Sequence, residues 1–433
     1  MGFASGYFER YQTREPLINE APDSNLSLVV CIPSYNENNI IRAIEALYCC
    51  TPLQNKAKVI ILLNYTQNNE PMKAFHERQL IETQQWISKH QRADIQFHVF
   101  LKALPAKDAG VGLARKIAMD EALRLFNLLD KRNGIIVGYD ADCTCKPNYL
   151  AEIESFFIKN PRAPGISVYF EHPTEGEEFE PQIYKAILQY ELYLRYYIEA
   201  LRYCGFPYAF QTLGSSFAVR ADAYASQGGM NKRKAGEDFY FLHKIIPLGR
   251  YDELNTTAVY PSPRISDRVP FGTGAAVSDI ISDTEGYKVF NPKSFEVLKG
   301  FFSLVPKFYK AENAFIHKYI ETIGPSFAEF LKSEKMVEAV ANCNANSSNI
   351  NVFIRRFYAW FNGLLALQCL NKLHESAFQY VPVAEASNGL LSMLDKQYEQ
   401  ANYSENELLK IFRQRVFKFK VSWKENYSFE LIE

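Results

Sequence analysis

Net charge is almost absent from this chain: 48 basic residues face 49 acidic ones among 433, a formal −1 at pH 7. Nucleic-acid binders need a basic surface to displace counterions, so that class is set aside. Long apolar runs are missing too. The most apolar C-terminal stretch, Phe357 to Leu370, is shorter than the ~20 residues of a membrane span and follows Arg355-Arg356. Cysteine is sparse and unpatterned. Cys31, Cys49, Cys50, Cys143, Cys145, Cys204, Cys343 and Cys369 form no disulfide framework. Neither Cys49-Cys50 nor Cys143-x-Cys145 has a second pair at the distance that a four-ligand zinc site demands. Free thiols in a reducing compartment follow. Residues Met1 to Gly6 lack a basic segment leading into an apolar one, so no signal peptide and a cytoplasmic location are expected.

What is present describes a globular chain. Hydrophobic residues make up 47%, enough for a sizeable core. The 27 tyrosines and 32 phenylalanines must largely be core, though exposed tyrosine would also suit stacking on sugar rings. From about Asn25 to Glu171, strand and helix patterns alternate. Leu26–Ile32 reads as a first strand closed by Pro33, and Asn38–Cys49 as a helix with Ile40, Ile41, Ile44 and Leu47 on its apolar face. Strands are expected at Lys58–Leu63, Asp94–Leu101, Gly134–Tyr139 and Ile166–Phe170, and a helix at Gly112–Leu129. This alternation predicts an α/β fold with a mostly parallel sheet flanked by helices. Gln182–Cys204 reads as a long helix with six tyrosines, followed by a loop-rich region. From about Ser294 the pattern turns helical and aromatic. The expected division is an N-terminal extension over 1–24, an α/β domain over 25–290, and a mainly helical region over 291–433.

The most informative motif is Asp140-Ala-Asp142. It follows an apolar, β-branched run, so two carboxylates emerge at a strand's C-terminal end, where open α/β sheets bind ligands. Positions i and i+2 point to one side of an extended chain and can face one divalent cation. Carboxylates suit Mg²⁺ or Mn²⁺, which usually also grip a substrate phosphate. A solvated acidic turn is the competing reading. Pro33-Ser34-Tyr35-Asn36-Glu37 ends the first strand at a natural nucleotide pocket, and Asn36 or Asn38 could also cap the next helix. Gly236-Glu237-Asp238 opens an apolar helical run, where carboxylates complement the helix dipole or supply a general base.

Taken in order, these segments resemble family 2 glycosyltransferases of the GT-A fold. Val29–Glu37 is similar to the family's opening strand and nucleotide turn, and Asp140-x-Asp142 to its metal motif. Gln211–Arg220 is similar to its acceptor-side Gly-Ser segment, and Gly229–Asp238 to its stretch leading into a catalytic Glu-Asp. The resemblance covers roughly residues 25 to 275. It implies a metal-dependent inverting enzyme that moves a sugar from a nucleoside-diphosphate sugar to an acceptor hydroxyl, in bacterial-type glycan or polysaccharide synthesis. It further implies a glycan or lipid-linked acceptor and Mn²⁺ or Mg²⁺ as cofactor. Pro33, Tyr35 and Glu37 would line the nucleotide pocket. Asn64 stands where the family usually carries an Asp reading the base. Arg115 would contact the diphosphate, Asp142 the metal, and Asp140 the ribose or the metal. Asp238 would be the catalytic base, with Glu237 positioning the acceptor. The processive members' Gln-x-x-Arg-Trp motif is missing. Instead Arg264 and Arg268 lie in a Pro/Gly-bearing loop, Pro261–Gly274, readable as a lid over the diphosphate or as an ion-paired surface loop.

A rival class shares part of the pattern. Asp140-Ala-Asp142-Cys143-Thr144 also fits the Asp-x-Asp-x-Thr motif of haloacid-dehalogenase-like phosphatases, with Asp140 as nucleophile. That motif normally sits on the first strand, whereas three strands are expected before it here. A nucleotidyltransferase would want a Gly-rich phosphate loop after strand one, and Pro33 to Asn38 contains no glycine. The oligomeric state is left open, as is whether the C-terminal region covers the acceptor site, mediates dimerisation or makes peripheral contact with the inner face of a membrane.

Overall fold

The computed structural model describes residues 2–11, 15–266, 268, 272–283, 286–398 and 402–415. Asp267, Val269, Pro270 and Phe271 of the Arg264/Arg268 loop, and the C-terminal residues 416–433, lie outside the described residues. The chain forms two compact units: Met1–Glu180 with Thr212–Ser278, and Pro181–Gln211 with Asp279–Glu433. The long tyrosine-rich helix thus belongs with the C-terminal residues. In sequence the chain runs α1 (Ser5–Tyr11), β1 (Leu26–Ser34), α2 (Ile40–Tyr48), β2 (Lys56–Thr66), α3 (Glu70–Lys89), β3 (Ile95–Leu104), α4 (Val111–Leu128), β4 (Ile135–Gly138), β5 (Thr144–Cys145), α5 (Tyr149–Lys159) and β6 (Gly165–Phe170). After α6 (Pro181–Tyr203) come β7 (Phe217–Arg220), α7 (Ala221–Ser226), α8 (Glu237–Ile245), β8 (Asp252–Tyr260) and α9 (Thr273–Ser282). Within the region expected to be loop-rich, β7, α7 and β8 are regular.

The first unit is built on an eight-stranded sheet of order β3-β2-β1-β4-β7-β6-β8-β5. The β3-β2-β1-β4 half is wholly parallel, and β7 then enters antiparallel to both β4 and β6. Leu28 to Ile32 of β1 are fully buried, which is why this strand reads as an unbroken apolar run rather than an alternating one. β1 does not stop at Pro33, as its sequence suggested. Pairing with β4 ends at Cys31, whereas pairing with β2 continues to Ser34. A proline lacking its N–H is tolerated where only one neighbour still bonds.

Helix α4 sits on this parallel half. Leu113, Ala114 and Ile117 pack with Leu62 and Leu104 in a core cluster that Leu17 and Phe100 extend. Burying each such Leu or Ile is worth ~1.5–3 kcal/mol, so α4 is a firm platform for whatever its first turn carries. The other flanking helix, α3, escaped the apolar-periodicity reading for a clear reason. Its buried residues are His76, Gln79 and Thr83, all polar. Asn69 caps it, accepting a hydrogen bond from the Met72 N–H at 3.2 Å.

The second unit is helical: α6, α10 (Pro292–Leu304), α11 (Asn313–Thr322), α12 (Pro325–Ser333), α13 (Met336–Ala345), α14 (Ile350–Trp360), α15 (Gly363–Ser376), α16 (Val383–Leu394) and α17 (Glu405–Arg415). Two short strands, β9 (Lys288–Val289) and β10 (Val381–Pro382), pair antiparallel. Phe301 stands at its aromatic centre, with Phe327 and Phe361 centroids at 5.2 and 5.3 Å. The six tyrosines of α6 are all buried or half-buried, so they serve packing rather than an exposed sugar-stacking face. Tyr196, for example, donates its hydroxyl to the Phe290 carbonyl at 2.6 Å. Among the described residues no helix is long and apolar enough to cross a membrane.

Candidate active site

The turn after β1 is shaped by two helices. Asn36 has φ 49°, a left-handed conformation that asparagine tolerates better than most residues. It therefore makes the corner and does not cap α2; neither does Asn38, because Asn39 immediately precedes that helix and offers no side-chain cap. From α3, His76 Nε2 accepts the Asn36 N–H at 3.3 Å, and its Nδ1 lies 2.9 Å from Gln79 Oε1. Gln79 in turn donates to the Glu37 carbonyl. An imidazole that accepts at Nε2 and donates at Nδ1 is neutral, and burial lowers its pKa further. His76 and Gln79 are the site residues that sequence reading missed. No apolar periodicity marks them, and the i, i+3 spacing of two polar side chains on an otherwise polar helix was the available signal.

Asn64, near the end of β2, is buried and donates Nδ2–H to the Ser34 carbonyl at 2.8 Å. It braces the same turn from the neighbouring strand. Pro33 lies within β1, and Tyr35 is half-buried, with its ring 6.3 Å from that of His76.

Arg115 organises the opposite wall. It leaves the first turn of α4 with its side chain only 2% exposed. Its guanidinium reaches Asp140 Oδ1 at 2.8 Å, Glu237 Oε1 at 3.2 Å and the Gly214 carbonyl. A Cβ on Gly214 would collide with that guanidinium, so a larger residue there would displace it from its partners. Gly112 lies equally close to the Arg233 backbone and lets the 231–233 loop approach α4. The arginine thus ties together the end of β4, the segment before β7 and the start of α8. Burial works against its charge, but Asp140 and Glu237 more than offset this and raise its pKa.

Asp142 points to a different arginine. Arg264, on the loop after β8, bridges Asp142 Oδ2 at 2.7 Å and Glu37 Oε2 at 2.9 Å. Arg268 reaches the same Glu37 oxygen at 3.2 Å and donates to the Tyr35 carbonyl at 2.6 Å. The Nε of Arg264 is buried without a partner among the described residues, a donor left over for another acceptor. All the residues singled out in the sequence therefore lie in the first unit. They form two linked groups: Arg115 with Asp140 and Glu237, and Arg264/Arg268 with Glu37 and Asp142. Asp238, next to Glu237, is half-buried and accepts the Phe239 N–H at 2.7 Å.

The electrostatics are those of an acidic cluster. Glu37, Asp140, Asp142, Glu237 and Asp238 outnumber Arg115, Arg264 and Arg268 by two. Burial raises the pKa of Glu37 and of Asp140, against the pull of Arg264 and Arg115 respectively, and the Asp142 charge raises both further. Glu237 is pushed up to about 7, first by burial and then by Asp238, with Arg115 opposing. Asp238 is raised as well, again mainly by burial. A cluster whose carboxylates resist ionisation favours added positive charge.

Among the described residues no group of three or more His, Cys, Asp or Glu side chains is arranged to hold a metal ion. The Asp140/Asp142 pair still fits Mg²⁺ or Mn²⁺ by its chemistry. Such ions use one or two carboxylates and complete their shell with water and phosphate oxygens. Arg264 now occupies Asp142 Oδ2, so an ion on that oxygen requires the guanidinium to move.

No family model matches the sequence, and no curated protein matches it either. Solved structures do. S. aureus TarS 1-349 in complex with UDP-GlcNAc is 12% identical, with 94% of this chain and 99% of that chain covered and a TM-score of 0.38. A mannosyltransferase from Pyrobaculum calidifontis, in complex with GDP-Man and Mn2+, is 15% identical, with 95% and 92% covered and a TM-score of 0.35. At that distance, the site residues themselves must carry the functional reading.

Proposed function

We propose that this chain is a metal-dependent inverting glycosyltransferase akin to family 2, moving a sugar from a nucleoside-diphosphate sugar to an acceptor hydroxyl. The observation that carries the reading is the acidic cluster at the carboxyl ends of β1 and β4, where three guanidinium groups meet five carboxylates. The β1 turn, braced by Asn64, His76 and Gln79, forms the nucleotide side, with Pro33, Tyr35 and Glu37 lining it. Asp142, assisted by Asp140, would hold Mn²⁺ or Mg²⁺, which supplies charge neutralisation to the diphosphate when bound. Arg264 and Arg268 exchange their carboxylate partners for diphosphate oxygens and stabilise the leaving group. Arg115, expected on the diphosphate, is engaged by Asp140, Glu237 and the Gly214 carbonyl, and in this reading it holds those two carboxylates in place.

The acceptor hydroxyl is a poor nucleophile near neutral pH, so a carboxylate must take its proton. Asp238 is the better placed of the adjacent pair, because Glu237 is already bound to Arg115. Its raised pKa makes it a stronger base than an ordinary aspartate. One base and one direct displacement invert the anomeric carbon. Eight free thiols fit a reducing, cytoplasmic setting, and the acceptor class is a glycan or lipid-linked glycan.

The test is a screen of sugar nucleotides with Mn²⁺, measuring released nucleoside diphosphate. Turnover of at least one donor is expected, lost in excess EDTA and lost in Asp142→Asn, whose amide supplies no compensating charge. Full activity in EDTA would remove the metal from the reading. A phosphoaspartate trapped at Asp140 would replace the whole reading with the phosphatase one.

A further inference from the structure

The Asp140–Asp142 loop is followed at once by a second chemistry-bearing feature that the proposed reaction does not use. Cys145, on β5, places its sulfur 3.8 Å from that of Cys50, which follows the C-terminal end of α2. The contact is between elements well tied together. The Thr51 N–H donates to the Pro147 carbonyl at 2.7 Å, and the Cys50 thiol lies 4.0 Å from the Lys146 carbonyl. On the other side, Thr144 and Cys145 pair antiparallel with Tyr260 and Val259 of β8. Cys145 is half-buried and Cys50 is 3% exposed, so the pair lies just beneath the surface. Cys49, the adjacent residue, is exposed and stands outside the contact.

We propose that Cys50 and Cys145 are a reversible thiol–disulfide pair that couples oxidation to the Asp140–Asp142 loop, the coupling resting on the nucleotide-binding role assigned to that loop. A disulfide needs its sulfurs at about 2 Å, so closure from 3.8 Å turns the two thiols toward each other and fixes β5 to the end of α2. Only Asp142 and Cys143 separate Ala141 from Thr144, and the loop is held by a Cys143 N–H to Asp140 carbonyl bond at 3.1 Å. Tyr139 donates its hydroxyl to the Cys143 carbonyl at 3.0 Å, which pins the loop from the β4 side. A pull on Cys145 therefore falls on Asp142 and not on free chain.

The chemistry balances with peroxide, an oxidant small enough to reach a thiol just beneath the surface. The Cys50 thiolate attacks one peroxide oxygen, the O–O bond breaks, and hydroxide leaves and takes up a proton as water. The sulfur of Cys145 then displaces the hydroxyl of the Cys50 sulfenic acid, forming the S–S bond and releasing a second water with the Cys145 proton. Two thiols are oxidised and one peroxide is reduced to two waters. Hydrogen bonding from the Cys145 thiol favours the Cys50 thiolate that starts the sequence. In a reducing compartment such a bond is transient, which suits sensing rather than structure.

The experiment treats the full chain with hydrogen peroxide, blocks free thiols and maps peptides without reduction. A Cys50–Cys145 cross-link is expected, reversed by dithiothreitol, lost in Cys50→Ser and in Cys145→Ser, and retained in Cys49→Ser. Bridging of Cys49 to Cys50, or overoxidation without a bridge, would overturn the pair. Nucleoside-diphosphate binding with Mn²⁺ is measured on the same samples. Oxidation should weaken it about tenfold, within the usual range for coupled sites, with recovery on reduction and no effect in Cys145→Ser. A bridge that leaves binding unchanged would overturn the coupling. Absence of nucleotide binding in the reduced protein would instead strike the functional reading, while the cross-link is still scored by mass.

Discussion

Two arginine centres hold the carboxylates of this site, and they are built differently. Arg115 leaves the first turn of a helix packed on the parallel sheet, is 2% exposed, and binds Asp140, Glu237 and the Gly214 carbonyl. Arg264 and Arg268 leave a loop, are 26% and 20% exposed, and share Glu37 while Arg264 also takes Asp142. Each centre joins carboxylates from separate elements. Only the buried one has no access for a ligand to replace its partners. A buried arginine is framework, because removing its partners strands a desolvated charge. A half-exposed arginine is exchangeable, because solvent screens the pair and a phosphate can take the carboxylate's place.

The largest effect should come from the framework side. Arg115→Ala leaves Asp140 and Glu237 without their cation, so a loss of about 3–5 kcal/mol in unfolding free energy is expected. Urea denaturation measures it, and Arg115→Lys should recover only part, since an ammonium cannot serve three acceptors in the guanidinium plane. A loss under about 1 kcal/mol, the range of surface pairs, would erase the distinction between the centres.

Asp238 sharpens the comparison, since it adjoins Glu237 without sharing its bond to Arg115. Asp238→Asn should lower turnover by ~10²-fold or more with nucleotide affinity nearly intact. Wild-type turnover in that variant would shift the proton-accepting role to another group. In the wild type the acidic limb of the turnover–pH profile should lie above the ordinary aspartate range, because burial raises the Asp238 pKa.

On the exchangeable side, the double variant Arg264→Ala/Arg268→Ala should cost less than Arg115→Ala, about 1–3 kcal/mol, because it leaves only the buried Glu37 carboxylate unpaired. Its diphosphate affinity should nevertheless fall by about tenfold or more, with monophosphate affinity less affected, since only the diphosphate offers the second charge. Calorimetric titration with both ligands reads this directly. Equal weakening of the two would reduce the loop to a structural ion-pair site.

The smallest effect is a pH slope. Glu237 has a folded pKa of about 7, above its unfolded value near 4.5. Between these values the folded state binds more protons than the unfolded one, so stability from this group is complete below about pH 4.5 and declines as pH rises toward 7. The limit is about 1.4 kcal/mol per pH unit. Glu237→Gln should flatten the slope of unfolding free energy between pH 5 and pH 7 relative to wild type. Parallel slopes in the two proteins would place Glu237's folded pKa near the unfolded one.

By itself the sequence determined the strands β1 to β4, the helices α2 and α4 between them, and the positions where carboxylates leave the sheet. Apolar runs and helical spacing report burial directly, and Asp140, Asp142, Glu237 and Asp238 each stand beside such a run. It could not reveal β7, only four residues long, nor β8, whose first six residues are mostly polar, nor α3, whose buried face is His76, Gln79 and Thr83. Periodicity detects apolar burial only. Polar burial depends on partners from other elements, here the Asn36 amide and the Glu37 carbonyl. The tertiary structure alone decided which arginine each acid meets. Arg115 is 25 residues from Asp140 and 122 from Glu237, and Arg264 is 122 from Asp142. Nothing local encodes such pairings. They exist because the sheet brings the ends of β1, β4 and β8 within reach, and because Gly214 leaves room for a guanidinium between them.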